Sequence, residues 1–261
     1  MNATEEVEIP FPDGNVTGAT RVGTTVRRRT GPWTPAIHPL LRHLERVGFE
    51  AAPRVLDFDG QGREVLNYIE GETSSDPRVS FGTDEALAEV ARLLLRYHDA
   101  TTSFVPVLDA PWHFQADAPT TGEVICNNDI APWNTVVHDG QAVAFIDWDF
   151  ATPGPRIWDV AHALWRFVPL YDGPDSGTVA EQSRRLRLFC DAYGLGDLAE
   201  LLPTISRRQR ALHDSMKAWA EAGEPAFAAM WRDGHGDMIM RDNDYLIRNW
   251  DAFAREINVI A

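Results

Sequence analysis

Apolar positions along the chain follow two different periods, and the change from one to the other organises it. Up to residue 71 they come in short runs set between turn formers. Thr24 to Arg28 is a β-prone run of Thr and Val. Pro53 to Phe58 and Glu64 to Ile69 read as two further strands, joined by Asp59-Gly60-Gln61-Gly62. One helix is expected between the Thr24–Arg28 and Pro53–Phe58 runs. Thr34-Pro35 supplies its start, with Pro at the first helical position, and Leu40, Leu41, Leu44 and Val47 recur at helical spacing before Gly48 stops it.

Residues 72–80 are polar and predict a hinge, so the chain is expected to divide into lobes 1–71 and 72–261. Thr83 to His98 then predicts an amphipathic helix, with Leu87, Val90, Leu93, Leu94 and Tyr97 on one face and Thr83 as its cap. From Glu123 to Phe150 short strands return. His138-Asp139-Gly140-Gln141 reads as a hairpin turn between strands 135–137 and 142–146. Further helices are expected over 156–168, 177–193, 203–222 and 236–257. This order predicts an α+β fold: a small β-rich lobe with one helix, then a larger, mainly helical lobe that contains a β-hairpin.

Composition adds exclusions. The chain has 261 residues and a formal charge of -15, which argues against a basic face for nucleic acid. No apolar run approaches membrane-spanning length, and the acidic start lacks the features of a signal peptide. The expected compartment is the cytoplasm, and a monomer or a homodimer both fit. Cys126 and Cys190 are too few for a disulfide framework. Of 24 basic residues only Lys217 is a lysine, so any chemistry in the first 216 residues that needs a fixed cation must use arginine. Between Asp99 and Glu181 stand twelve acidic residues and two basic ones, Arg156 and Arg166.

That acidic span holds the densest chemistry. Asn127-Asn128-Asp129-Ile130-Ala131-Pro132-Trp133-Asn134 is followed by Ile146-Asp147-Trp148-Asp149. A carboxylate, an amide oxygen and a second carboxylate are ligand types that Mg²⁺ accepts. A carboxylate beside an acceptor hydroxyl can also orient and deprotonate it. Asp or Asn in a turn explains one such residue, but not three at this spacing. If the strand continues past Asp147, Asp149 faces the same side and reaches a second metal, the substrate or an arginine. Trp133 is expected to pack beneath the loop. Gly14, Asn15 and Gly18 fall in a turn that suits either a phosphate or a plain hairpin.

These residues resemble the motifs of the aminoglycoside phosphotransferase and choline kinase superfamily. Asp129 to Asn134 has the spacing of a kinase catalytic loop, and Gly154-Pro155-Arg156-Ile157-Trp158-Asp159-Val160-Ala161 is similar to a further family motif. Gly31-Pro32-Trp33-Thr34-Pro35, residues 128–134 and Trp165-Arg166-Phe167-Val168-Pro169-Leu170 resemble a bacterial branch of trifolitoxin-immunity-like phosphotransferases. The resemblance implies the bilobal protein-kinase-like fold and Mg²⁺-dependent transfer of the γ-phosphate of ATP or GTP to a hydroxyl of a small molecule. It makes Asp129 the base, Asn134 and Asp147 the metal ligands, and Asp159 a brace for the loop.

Three departures accompany it. Asn127 stands where the family has histidine. Arg28, with Arg27 as fallback, replaces the lysine that holds nucleotide phosphate. The acid expected to pair with that cation is not evident, because His38 lies near its place and Glu45 almost two turns later. The backbone of Asn67 to Ile69 is expected to meet the nucleotide base. Trp165, Tyr171 and Asp214 are candidate walls of an acceptor site, and an acidic wall would suit a cationic acceptor such as an aminoglycoside. The alternative implied by the departures is a kinase-like binding or immunity protein without turnover.

Overall fold

The computed structural model describes residues 7–11, 18–113 and 115–257. Gly14 and Asn15 lie outside these residues, whereas Gly18 is exposed in the left-handed region just before the second strand. Five antiparallel strands form the N-terminal sheet: β1 (Glu8–Pro10), β2 (Thr20–Val22), β3 (Thr25–Arg28), β4 (Val55–Phe58) and β5 (Glu64–Asn67). Their spatial order is β1-β2-β3-β5-β4. Helix α1 (Thr34–Arg46) lies between β3 and β4 in sequence and buries Ile37, Leu40, Leu41 and Leu44. Leu40, Leu41 and Leu44 bear out the predicted 3.6-residue stripe, whereas Val47, expected on it, follows the end of the helix and is exposed.

The predicted polar hinge is only partly a connector. Asp76 caps a short helix, α2 (Pro77–Phe81), by accepting from the Arg78 N–H at 2.9 Å. Before it, Glu72 and Val137 exchange backbone hydrogen bonds of 2.9 and 2.8 Å, which stitch this segment to the later hairpin. Gly71 permits the approach: its φ is 142°, and a Cβ there would stand 2.5 Å from the Val137 carbonyl oxygen.

Helix α3 (Asp84–Thr101) starts at Thr83, whose hydroxyl accepts from the Ala86 N–H. Its five predicted apolar positions are all buried. Strand β6 (Val124–Cys126) pairs with β9 (Thr152–Gly154). Between them β7 (Thr135–His138) and β8 (Gln141–Phe145) form the expected hairpin. Asp139 and Gly140 both have positive φ at its tip, as a two-residue turn of this hand requires.

The remaining chain is helical: α4 (Arg156–Phe167), α5 (Val179–Tyr193), α6 (Leu201–Glu221), α7 (Pro225–Arg232), α8 (His235–Arg248) and α9 (Trp250–Ile257). Two expectations change here. Gly223, at φ 86°, and Pro225 separate α7 from α6, so residues 225–232 form a helix of their own. The single helix expected over 236–257 is two, because the Asn249 amide donates to the Tyr245 carbonyl and ends α8. No helix among the described residues is long and apolar enough to cross a membrane. One continuous apolar core runs from Leu40 and Leu66 through Tyr97, Phe145 and Trp148 to Trp165 and Phe253. It fixes the loops between β6 and α4 against packed helices.

Candidate active site

The loop after β6 is held from beneath by a single carboxylate. Asp159, in the first turn of α4 and fully buried, accepts the backbone N–H of Asn127 at 2.6 Å and of Asn128 at 2.8 Å. Its Oδ2 also lies 3.2 Å from Nε2 of His98, whose Nδ1 is 2.6 Å from the Tyr193 hydroxyl. Asn128 has φ 68°, a conformation that asparagine tolerates better than most residues. Its amide donates to the Phe150 carbonyl and to Thr152 Oγ1, both at 2.8 Å. Its own carbonyl accepts from the buried Arg208 guanidinium on α6. Two helices and the segment after β8 therefore fix two consecutive loop residues, Asn127 and Asn128.

Asn127 joins this loop to the second one. Its Oδ1 accepts the Asp129 N–H at 3.0 Å, and its Nδ2 donates to the Asp147 carbonyl at 3.1 Å. The asparagine found in place of histidine thus uses both ends of its amide. A short 3-10 turn, Pro132–Asn134, then brings Asn134 back toward Asp129. Asn134 Nδ2 donates to Asp129 Oδ2 at 2.7 Å, which turns its Oδ1 away from that carboxylate. The Ile146 N–H donates to the Asn134 carbonyl at 2.8 Å and sets Asp147 beside it. Asp129, Asn134 and Asp147 are thus brought together as the spacing predicts.

The predicted strand continuation through Asp147 is corrected. β8 ends at Phe145, and Asp147 turns into the left-handed region with φ 60°. Asp147 and Asp149 still converge, because Arg28 gathers both. The side chain of Asp129 remains 24% exposed and that of Asp147 35% exposed. Burial, reinforced by the charge of Asp147, pushes the Asp129 carboxyl up to about 7, against the opposing pull of Arg166, Arg208 and Asn134.

Arg28 is 7% exposed and divides its guanidinium among three acids. Nε meets Glu64 Oε1 at 2.5 Å, Nη1 meets Asp147 Oδ1 at 3.3 Å, and Nη2 meets Asp149 Oδ1 at 2.5 Å. Burial works against its charge, but the three carboxylates prevail and raise its pKa above the ordinary arginine value. Burial carries Asp149 the other way, up to about 6, with Arg28 opposing. The acid that pairs with this cation is therefore Glu64, the direct cross-strand neighbour of Arg28, and neither of the helix positions considered. His38 on α1 holds Glu64 instead, while Glu45 lies 3.8 Å from Arg54 at the surface.

Other candidates fall differently. The N–H of Asn67 donates to the Arg54 carbonyl and that of Tyr68 to the Thr24 carbonyl, so the sheet uses two donors expected to meet a nucleotide base. Ile69 follows them beyond the end of β5. Trp133 does not pack beneath the loop: it is 38% exposed, with the Arg166 guanidinium 5.2 Å from its ring centre. Trp165 is buried and donates to Asp242 at 2.9 Å, Tyr171 is half-buried, and Asp214 is an exposed partner of His213.

Sequence reasoning did not single out Glu64, His162 or Arg208 as site residues and gave Arg166 no role. His162 Nε2 lies 3.5 Å from Asp129 Oδ1, and burial together with Arg208 and Arg166 holds its pKa well below the ordinary histidine value. Positions 159, 162 and 166 follow helical spacing from the bracing Asp159, a signal that would have placed His162 and Arg166 on one face.

An antiparallel sheet with one helix, a helical second part, and paired loops carrying Asp129, Asn134 and Asp147 define a protein-kinase-like fold. Residues 108–203 match the phosphotransferase enzyme family. The chain is 36% identical over 247 aligned residues to the trifolitoxin immunity protein of Rhizobium leguminosarum bv. trifolii, covering 86% of this chain and 92% of that protein. It belongs to this phosphotransferase family. Among solved structures, the GDP complex of an aminoglycoside 2'-phosphotransferase superposes with a TM-score of 0.61 at 12% identity, covering 92% of this chain and 93% of that one. A choline/ethanolamine kinase family protein from Mesorhizobium loti superposes with a TM-score of 0.54 at 14% identity, covering 97% and 92%.

Proposed function

We propose that the protein transfers the γ-phosphoryl group of ATP or GTP to a hydroxyl of a small molecule. The observation that carries this reading is the meeting of Asp129, Asn134 and Asp147, tied together through both ends of the Asn127 amide. In the proposed step the acceptor oxygen bonds to the γ-phosphorus as the bridging P–O bond to the β-phosphate breaks. The hydroxyl proton passes to Asp129, and a nucleoside diphosphate leaves. A carboxylate held near neutrality is suited to take that proton.

Asn134 and Asp147 would hold Mg²⁺. The donor set fits, since both supply hard oxygen atoms and this cation needs few protein ligands when phosphates and water complete its shell. Bound there, the ion would neutralise phosphate charge. Asn127 and Asp159 would position the loop, and His162, held neutral, would place the Asp129 carboxylate without adding charge. The aminoglycoside and antibiotic kinases that share this fold support a small-molecule acceptor.

The second reading is a binding or immunity module without turnover. It is favoured by the triple engagement of Arg28, which leaves this cation committed to carboxylates, and by the name of the 36% identical relative. The experiment that separates them is labelled γ-phosphate transfer across a panel of hydroxylated antibiotics and metabolites, run beside nucleotide binding. The enzyme reading expects Asp129→Ala to bind nucleotide and transfer nothing. Turnover retained in that variant would overturn the assignment of the base.

A further inference from the structure

The charges of two arginines, Arg166 and Arg208, act on Asp129 in a protein whose net charge is -15. Arg208 is fully buried; one nitrogen is spent on the Asn128 carbonyl, while Nε and Nη1 have no partner. Arg166 extends from α4 one turn after His162. Its guanidinium lies 3.4 Å over the Trp165 ring and 5.2 Å from the ring of Trp133, which is exposed in the loop that carries Asp129. Among the described residues no carboxylate oxygen comes within 4.0 Å of either guanidinium. The nearby Asp242 instead accepts from Trp165.

Stacking on aromatic rings orients a guanidinium and leaves its N–H edge for a ligand. Burial lowers Arg166 to about 10, which still leaves it charged at neutral pH. An unpaired, half-buried cation is costly unless an anion completes it. The Nε of Arg166 is buried without a partner. The exposed Trp133 ring beside it offers a flat wall to the same ligand.

We propose that Arg166, framed by Trp133 and Trp165, binds a carboxylate-type anionic group of the acceptor next to the hydroxyl that faces Asp129. This rests on the phosphotransferase reading above and names a substrate class for it. It also differs from the expectation that an acidic wall favours a cationic acceptor: the part of the ligand that meets this wall is negative. Arg208 supplies background positive charge to the same region from behind the loop.

The test is equilibrium binding, read by thermal shift, of matched hydroxy compounds offered as free acid and as amide: gluconate with gluconamide, and N-acetylserine with N-acetylserinamide. Wild type and Arg166→Lys are expected to favour the acid by about tenfold, and Arg166→Gln to favour neither. The lysine variant keeps the charge and so separates lost recognition from lost packing. Equal binding of acid and amide by wild type, or an acid preference that survives in Arg166→Gln, overturns the proposal. So does weakened ATP binding in Arg166→Gln with an unchanged acid-to-amide ratio, which would give Arg166 to the donor phosphates. Binding is read without turnover, so the two readings fail separately. An acid preference with no nucleotide-dependent transfer counts against the phosphotransferase alone. Transfer to acid and amide alike counts against the anion site alone.

Discussion

His38 Nε2 lies 2.6 Å from one oxygen of Glu64, and Arg28 holds the other at 2.5 Å. The acid thus sits between a strand arginine and a helix histidine, with all three side chains nearly buried. Removing Glu64 strips the buried Nε of Arg28 and Nε2 of His38 of their partner, although Arg28 keeps Asp147 and Asp149. Glu64→Ala is expected to cost about 3 kcal/mol in chemical denaturation. Glu64→Gln, whose single amide oxygen can still accept from one of the two neighbours, should cost less.

Arg28→Lys tests why the chain uses arginine. Three different nitrogens of Arg28 meet three different acids, and an ammonium has one nitrogen at one place. The lysine variant is expected to melt several degrees lower than wild type, with Asp149 left poorly paired. A melting point equal to wild type would show that a point charge suffices.

Asp129 gives a pH prediction with a definite sign. Its folded value, about 7, lies above the ordinary carboxylate range, so the folded state prefers the protonated form. The stability this contributes is full below about pH 4 and is lost as pH rises toward and through 7. Asp129→Asn should therefore match wild type near pH 4 and exceed it at pH 8 by on the order of 2 kcal/mol, measured by urea denaturation at both pH values. The proposed phosphoryl transfer, with Asp129 as its base, should fall as pH drops below about 7 in the wild type.

Asn127→Ala removes the tie between the two loops at both ends. Its expected signature is a loss of about a hundredfold in kcat with a raised KM for nucleotide, since the base and a proposed metal ligand loosen together. Asn127→His, the residue more usual in the family, retains one tie at a time and should fall between. A kcat unchanged in Asn127→Ala would mean that Asp159, Arg208 and the Asn128 amide set the loop without it.

Much of this site was legible in the sequence because its parts are local. Asp129, Asn134 and Asp147 lie on two short connections, and their identities limit what such connections do. The hairpin and α3 were equally plain, since Asp139-Gly140 and the Leu87-to-Tyr97 stripe carry their own geometry. Glu64 was hidden because pairing with Arg28 depends on strand register, which a lone strand pattern does not give. Trp133 was misplaced because a large aromatic suggests burial, and only the packed loop reveals that its ring faces outward. The split between α8 and α9 turns on one side-chain bond at Asn249, too small a signal to interrupt an apolar period.

The bonds from Arg28 cross from β3 to the segment after β8, and that crossing bears on how a nucleotide would be received. Asp147 is already occupied on one oxygen by a neighbour tethered to the same molecule. A newcomer that takes Oδ1 of Asp147 would exchange with that neighbour, and the tether would keep the displaced guanidinium at a fixed, high local concentration. Affinity at this oxygen would consequently be a contest against an internal rival. Departure would be assisted by the same rival, ready to reclaim the carboxylate as soon as it is vacated.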